Sequence, residues 1–119
     1  MRLFNALRYS AQGLSAAVRH EAAFRQELAI FIVLCPVAVW LGRSVGEIFF
    51  LIGSMVLVLV IELLNSALEA IADAVTLEHH SFIGRAKDLG SAAVMLTIWF
   101  SSAAWLAVII SVSRSSPMT

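Results

Sequence analysis

Polar residues in this chain gather in blocks, and the blocks separate four stretches with helical character. In the first stretch, at about 100° per residue, Leu3, Leu7, Leu14 and Val18 fall within roughly 60° of one another. Arg8, Gln12 and Arg19 lie beside or opposite them. The pattern predicts an amphipathic helix at about 2–20, either lying in a membrane interface with its arginines toward the headgroups or packed on other protein. The two are compatible. An apolar run from Leu28 to Leu41 is shorter than the roughly 20 residues a membrane crossing needs. It reaches that length if the helix starts at Glu21 or Ala22. Pro36 would then leave the carbonyl near Ile32 without its donor and bend the helix modestly. Gly42, Ser44 and Gly46 mark a short turn, and apolar runs follow from Ile48 to Val75 and from Gly90 to Val112. The expected architecture is an all-α membrane protein in one domain over 1–119. Its spans are expected at about 22–42, 47–75 and 86–112, beside the N-terminal amphipathic surface helix.

Composition sharpens this pattern. Hydrophobic residues make up 61% of the chain and charged residues 13%, against about 25% charged in an average soluble domain. A formal net charge of zero lacks the basic surplus of a nucleic-acid-binding domain, so no nucleic-acid partner is expected. The single cysteine, Cys35, lies in an apolar run, which excludes an intrachain disulfide and suits a small buried hydrophobe. The first thirty residues lack the basic start and apolar stretch of a cleavable signal peptide, so none is expected.

The basic residues set an orientation. Arg2, Arg8, Arg19 and Arg25 precede the first span, and Arg85 and Lys87 follow the second, leaving only Arg43 and Arg114 for the opposite side. The positive-inside rule then predicts a cytoplasmic N-terminus and an outside C-terminus. The loop from Thr76 to Arg85 would face the cytoplasm, where nucleotides are.

The second span carries the informative polar groups. With Glu62 at zero, Asn65 lies at about 300°, Ser66 at about 40°, Glu69 at about 340° and Asp73 at about 20°. These five form one stripe on a helix otherwise made of Leu, Ile, Val and Ala, descending from mid-membrane toward the cytoplasmic surface. A charged carboxyl near the bilayer centre costs about 2.5–3.5 kcal/mol or more, so ionisable groups within spans are functional by default. Ser66 is better read as bonding to its own backbone, and Asp73 as solvated or paired with a basic residue. Two polar clusters lie on the same side: Glu21-Ala-Ala-Phe-Arg25-Gln26-Glu27 and Gly84-Arg85-Ala-Lys87-Asp88-Leu-Gly90-Ser91. Arg85 and Asp88 can pair across one turn, and Ala86-xxx-Gly90 is a close-packing pattern of membrane helices. His79 and His80, without matching ligands nearby, suit a solvated loop.

Carboxylates, an amide and a lysine at a cytoplasmic interface suit phosphoryl transfer from ATP. Mg²⁺ takes one or two carboxylates plus phosphate oxygens, a lysine offsets phosphoryl charge, and a carboxylate accepts the proton of an attacking hydroxyl. The Walker A motif and the kinase glycine loop are both missing. The same stripe would also serve a small ion or proton transporter subunit.

The Glu21–Glu27 cluster, Glu62-Leu-Leu-Asn-Ser-Ala-Leu-Glu69 with Asp73, and Gly84-Arg-Ala-Lys-Asp-Leu-Gly-Ser-Ala-Ala93 together resemble the prokaryotic membrane diacylglycerol kinases. The resemblance runs from about Arg2 to the last span. It implies a homotrimeric bundle in the bacterial inner membrane, with sites between neighbouring subunits and Mg²⁺-dependent transfer of the ATP γ-phosphate to diacylglycerol. By the same resemblance Glu62 is the catalytic base, and Glu21 and Glu69 are the Mg²⁺ ligands and contact ATP. Asn65 and Lys87 would hold the γ-phosphate region, with Arg2, Tyr9, Asp88, Glu78 and His80 on the nucleotide. Ala23, Phe24, Arg25, Gln26, Glu27 and Ser91, with Glu62, would line the headgroup end of the lipid. The loop Glu78-His79-His80-Ser81 departs from the family's usual sequence. Relatives that phosphorylate undecaprenol make that lipid the nearest alternative substrate.

Overall fold

The computed structural model describes residues 2–75 and 81–114. Among them the chain forms four α-helices: α1 (Arg2–His20), α2 (Ala22–Leu41), α3 (Val45–Val75) and α4 (Ser81–Arg114). The last three are long and apolar enough to cross a membrane. Their faces carry large exposed side chains such as Ile32, Val33, Trp40, Leu96 and Trp99. That distribution is stable where the surrounding solvent is hydrocarbon.

Helix α3 is the centre of the bundle. It packs on α4 most extensively and on α2 next. It buries Leu51, Ser54, Met55, Val58, Glu62 and Ala72, whereas α2 buries only Phe24 and Ala38. An apolar core of Ala38, Leu51 and Val108 gathers Leu41, Ile52, Trp105 and Val112 around it. At mid-length the hydroxyls of Ser54 and Ser101 share a buried 2.9 Å hydrogen bond between α3 and α4. Such bonds between membrane helices contribute about 0.6 kcal/mol on average.

The turn between α2 and α3 is tight. A side chain on Gly42 would meet Ile48 and the Ala38 carbonyl, so the approach demands glycine. The Ser44 hydroxyl accepts the Glu47 amide at 3.1 Å, capping the start of α3. Arg43 grips Glu47 through a 2.6 Å ion pair and donates to the Ser111 hydroxyl at 2.8 Å, tying this turn to α4. Hydrogen bonding to Glu47 holds the Arg43 guanidinium above its ordinary pKa.

Most helix limits lie within two residues of those predicted, and α2 runs unbroken through Pro36. The start of α4 differs. It begins at Ser81, five residues before the expected span, inside the stretch expected to be a loop. Gly84 there costs a helix only about 1 kcal/mol, which flanking Arg85, Ala86 and Lys87 as good helix formers offset. The Arg85–Asp88 pair is not formed. Arg85 instead lies over the Phe82 ring, 5.4 Å from its centroid, one helical turn earlier.

Candidate active site

Because α3 runs antiparallel to both neighbours, the start of α2 and the start of α4 meet the second half of α3 at one end of the bundle. The α3 stripe grades in burial there. Glu62 is 6% exposed, Asn65, Ser66 and Glu69 are half-buried, and Asp73 is exposed.

Glu62 faces Glu27 of α2, the two carboxyl groups lying within hydrogen-bonding reach of one another. The charges of Glu69 and Glu21 also act on Glu62. From α4, Lys87 Nζ donates to Asp73 Oδ1 at 2.8 Å and feels the charge of Glu69. Asp73 therefore pairs with a basic residue. Asn65 turns its Oδ1 into the space beside Gly90, where any larger residue would overlap it. Gly90 was legible as a packing glycine; what it makes room for is the amide of the stripe.

Three side-chain atoms at this end are buried without a hydrogen-bond partner: Glu27 Oε1, Asn65 Oδ1 and Ser66 Oγ. Buried polar atoms are nearly always paired; these three face different neighbours, Glu27 and Ser66 lining separate cavities and Asn65 abutting Gly90 on α4. From Glu27 an apolar hollow of about 330 Å³ extends along the bundle, lined by Leu34, Met55, Val58, Ile98 and Trp105 among others. A second cavity lies between α1 and α3, lined by Gly13, Ala17, His20, Glu21, Ser66 and Ala70 among others.

Glu21 is the one residue between α1 and α2. It stands at the N-cap of α2, yet its carboxylate makes no capping bond. No three metal-capable side chains converge among the described residues. Mg²⁺ usually takes one or two protein carboxylates and draws its remaining ligands from phosphate oxygens and water, and Glu21 and Glu69 are oxygen donors of that kind.

The other predicted site residues are less gathered. Arg2 and Tyr9 are exposed on α1, Asp88 and Ser91 on α4, and Ala23 and Gln26 on α2. Phe24 is 2% exposed and belongs to the packed interior. Arg25 donates to main-chain carbonyls of α1. Glu78 and His80 lie outside the described residues.

The family model described as prokaryotic diacylglycerol kinase matches residues 8–109, which takes in α2, α3 and nearly all of α4. The chain belongs to the prokaryotic diacylglycerol kinase family. The diacylglycerol kinase of Haemophilus influenzae is 42% identical over 103 residues, covering 87% of each chain. That of Pseudomonas aeruginosa is 44% identical over 109 residues, 92% of this chain and 89% of its own. That of Escherichia coli K12 is 43% identical over 104 residues, 87% of this chain and 85% of its own. The three sequence motifs behind the resemblance lie at the start of α2, in the second half of α3 and at the start of α4.

Proposed function

We propose that the chain is an ATP-dependent diacylglycerol kinase that transfers the γ-phosphate to the lipid hydroxyl and releases phosphatidic acid and ADP. The observation that carries this reading is the approach of Glu27 to Glu62, with Glu69, Glu21 and Lys87 near enough for their charges to be felt, at one end of an apolar bundle. Helix α3 has 31 residues and is about 46 Å long, against about 30 Å of hydrocarbon. Glu62 accordingly sits within the apolar slab, and Glu69 and Asp73 toward the headgroups.

Glu62 takes the proton of the lipid hydroxyl as its oxygen attacks the γ-phosphorus and the bond to ADP breaks. Glu21 and Glu69 would hold Mg²⁺, which when bound would supply positive charge against the developing phosphoryl charge. Asn65 and Lys87 hold the γ-phosphate. Lys87 exchanges Asp73 for it, an exchange favoured because the Lys87–Asp73 pair is solvent-exposed and weak. Arg2, Tyr9, Asp88, Glu78 and His80 contact the nucleotide. Ala23, Gln26, Glu27 and Ser91 line the headgroup end of the lipid, and the hollow running from Glu27 accepts apolar chain. The enzyme is a homotrimer in the bacterial inner membrane, with its N-terminus and sites on the cytoplasmic side and α1 on the membrane surface. The exposed apolar row of Leu3, Leu7, Leu14 and Val18 supports that placement of α1.

Purified protein supplied with labelled ATP, Mg²⁺ and either diacylglycerol or undecaprenol tests the reading. Labelled phosphatidic acid is the expected product. Faster labelling of undecaprenol would reassign the substrate, and ion flux in liposomes without ATP consumption would overturn kinase activity altogether.

A further inference from the structure

The corner between α1 and α2 turns on one residue. In an unbroken helix the carbonyls of Val18 and Arg19 would accept the amides of residues 22 and 23. Glu21, at φ −113° and ψ 104°, bends the chain away and orphans both carbonyls. Arg25 recovers them. Its Nη1 donates to Val18 O at 2.9 Å and to Arg19 O at 3.2 Å, so one guanidinium nitrogen replaces two lost helix bonds. The placement is electrostatically favourable, since a cation at a helix C-terminus meets the negative end of its dipole.

The backbone of Glu21 is held on both sides as well. Its amide donates to Ala17 O at 2.9 Å, and its carbonyl accepts the amide of Arg25 at 3.1 Å. Arg25 thus grips the corner by main chain and side chain together. Its charge is spent on carbonyls, and among the described residues no carboxylate forms an ion pair with it. Glu21 makes no capping bond to its own helix and lines the cavity beside α3.

We infer that Arg25 is a positioning residue for Glu21: by capping α1 it fixes the corner from which Glu21 presents its carboxylate to the divalent cation. This rests on Glu21 being a metal ligand. It departs from the role in lining the lipid headgroup that the family resemblance gives Arg25, and the two make opposite forecasts.

The test uses full-length Arg25→Ala, Arg25→Lys and Glu21→Gln proteins in bilayers. Mn²⁺ binding in the presence of a non-hydrolysable ATP analogue is followed by electron paramagnetic resonance, without turnover. Loss of a residue that orients a ligand weakens metal binding by about 10- to 100-fold, and Arg25→Ala is expected to do so while Arg25→Lys recovers most of the loss. In parallel, the distance between spin labels at Leu7→Cys and Ile32→Cys, in a Cys35→Ser background diluted with unlabelled chain, should broaden in Arg25→Ala and narrow again in Arg25→Lys. The KM for diacylglycerol should hardly move. Normal Mn²⁺ binding in Arg25→Ala beside weakened binding in Glu21→Gln would overturn the positioning role and spare the ligand assignment. Unchanged Mn²⁺ binding in Glu21→Gln, with a broadened corner in Arg25→Ala, would instead remove Glu21 from the metal and the proposal with it. A raised KM for lipid with unaltered metal binding would return Arg25 to the substrate.

Discussion

The two ends of the bundle handle polar groups in opposite ways. At the α2–α3 turn, Arg43 meets Glu47 and Ser111, and Ser44 caps the helix that follows. Each of these charges and hydroxyls has a partner within the chain. At the other end, Glu62 and Glu27 face each other under the charges of Glu69 and Glu21, and three buried oxygens have no partner. The polar groups of the α2–α3 turn satisfy one another. The second end leaves carboxyl groups facing one another and polar oxygens unpaired within the chain.

The sharpest way to break this contrast is at Glu62. Glu62→Gln keeps the shape and removes the proton acceptor, so turnover should fall by about 10²- to 10⁴-fold while the protein still assembles. The labelled-ATP assay checks the rate and size-exclusion chromatography the assembly. Normal turnover would mean that the unsatisfied end is not the reacting one.

A smaller effect is expected at Gly90. Gly90→Ala drives a methyl into Asn65 Oδ1, and because the amide can turn aside the cost falls below the ~1–3 kcal/mol of overpacking a closed core. Thermal unfolding should shift downward and turnover should fall, because Asn65 is displaced from the stripe. Combining it with Asn65→Ala should restore the melting temperature but not the rate. A double variant as unstable as Gly90→Ala alone would show that the glycine serves something other than the amide.

The smallest effect on chemistry belongs to the satisfied end. Arg43→Ala removes an exposed, self-contained clasp, so turnover should stay within about twofold of the parent, as exposed ion pairs contribute little. A modest loss of melting temperature is the expected cost. A large drop in rate would show that the two ends are coupled through α3 or α4.

Much of the helical frame was legible because apolar runs and polar breaks are local signals. The stripe was legible for the same reason, since Glu62, Asn65 and Glu69 lie on one helix and their angles follow from the period alone. Contacts between helices were not. Arg43 reaches Ser111 across 68 positions of sequence, and nothing local marks which serine an arginine meets. The Glu27–Glu62 approach likewise depends on how α2 sits on α3. Arg25 hid for another reason: its partners are backbone carbonyls, which carry no residue-type signature. The break at Glu21 was the available clue, because a one-residue interruption always orphans carbonyls that some nearby donor must take. The early start of α4 was missed because a polar block with a glycine resembles a loop until its neighbours' helix propensities are weighed.

The bonds between α3 and α4 have a mechanical consequence. Asp73–Lys87 joins them at one end, Ser54–Ser101 at mid-length, and Arg43–Ser111 holds the turn before α3 against α4 at the other. Sliding one helix past the other by a single turn would break all three at once and strand two hydroxyls in hydrocarbon. The hairpin is therefore pinned in register like a bolted rail. Asn65 and Lys87, carried on the two pinned helices, keep a fixed spacing.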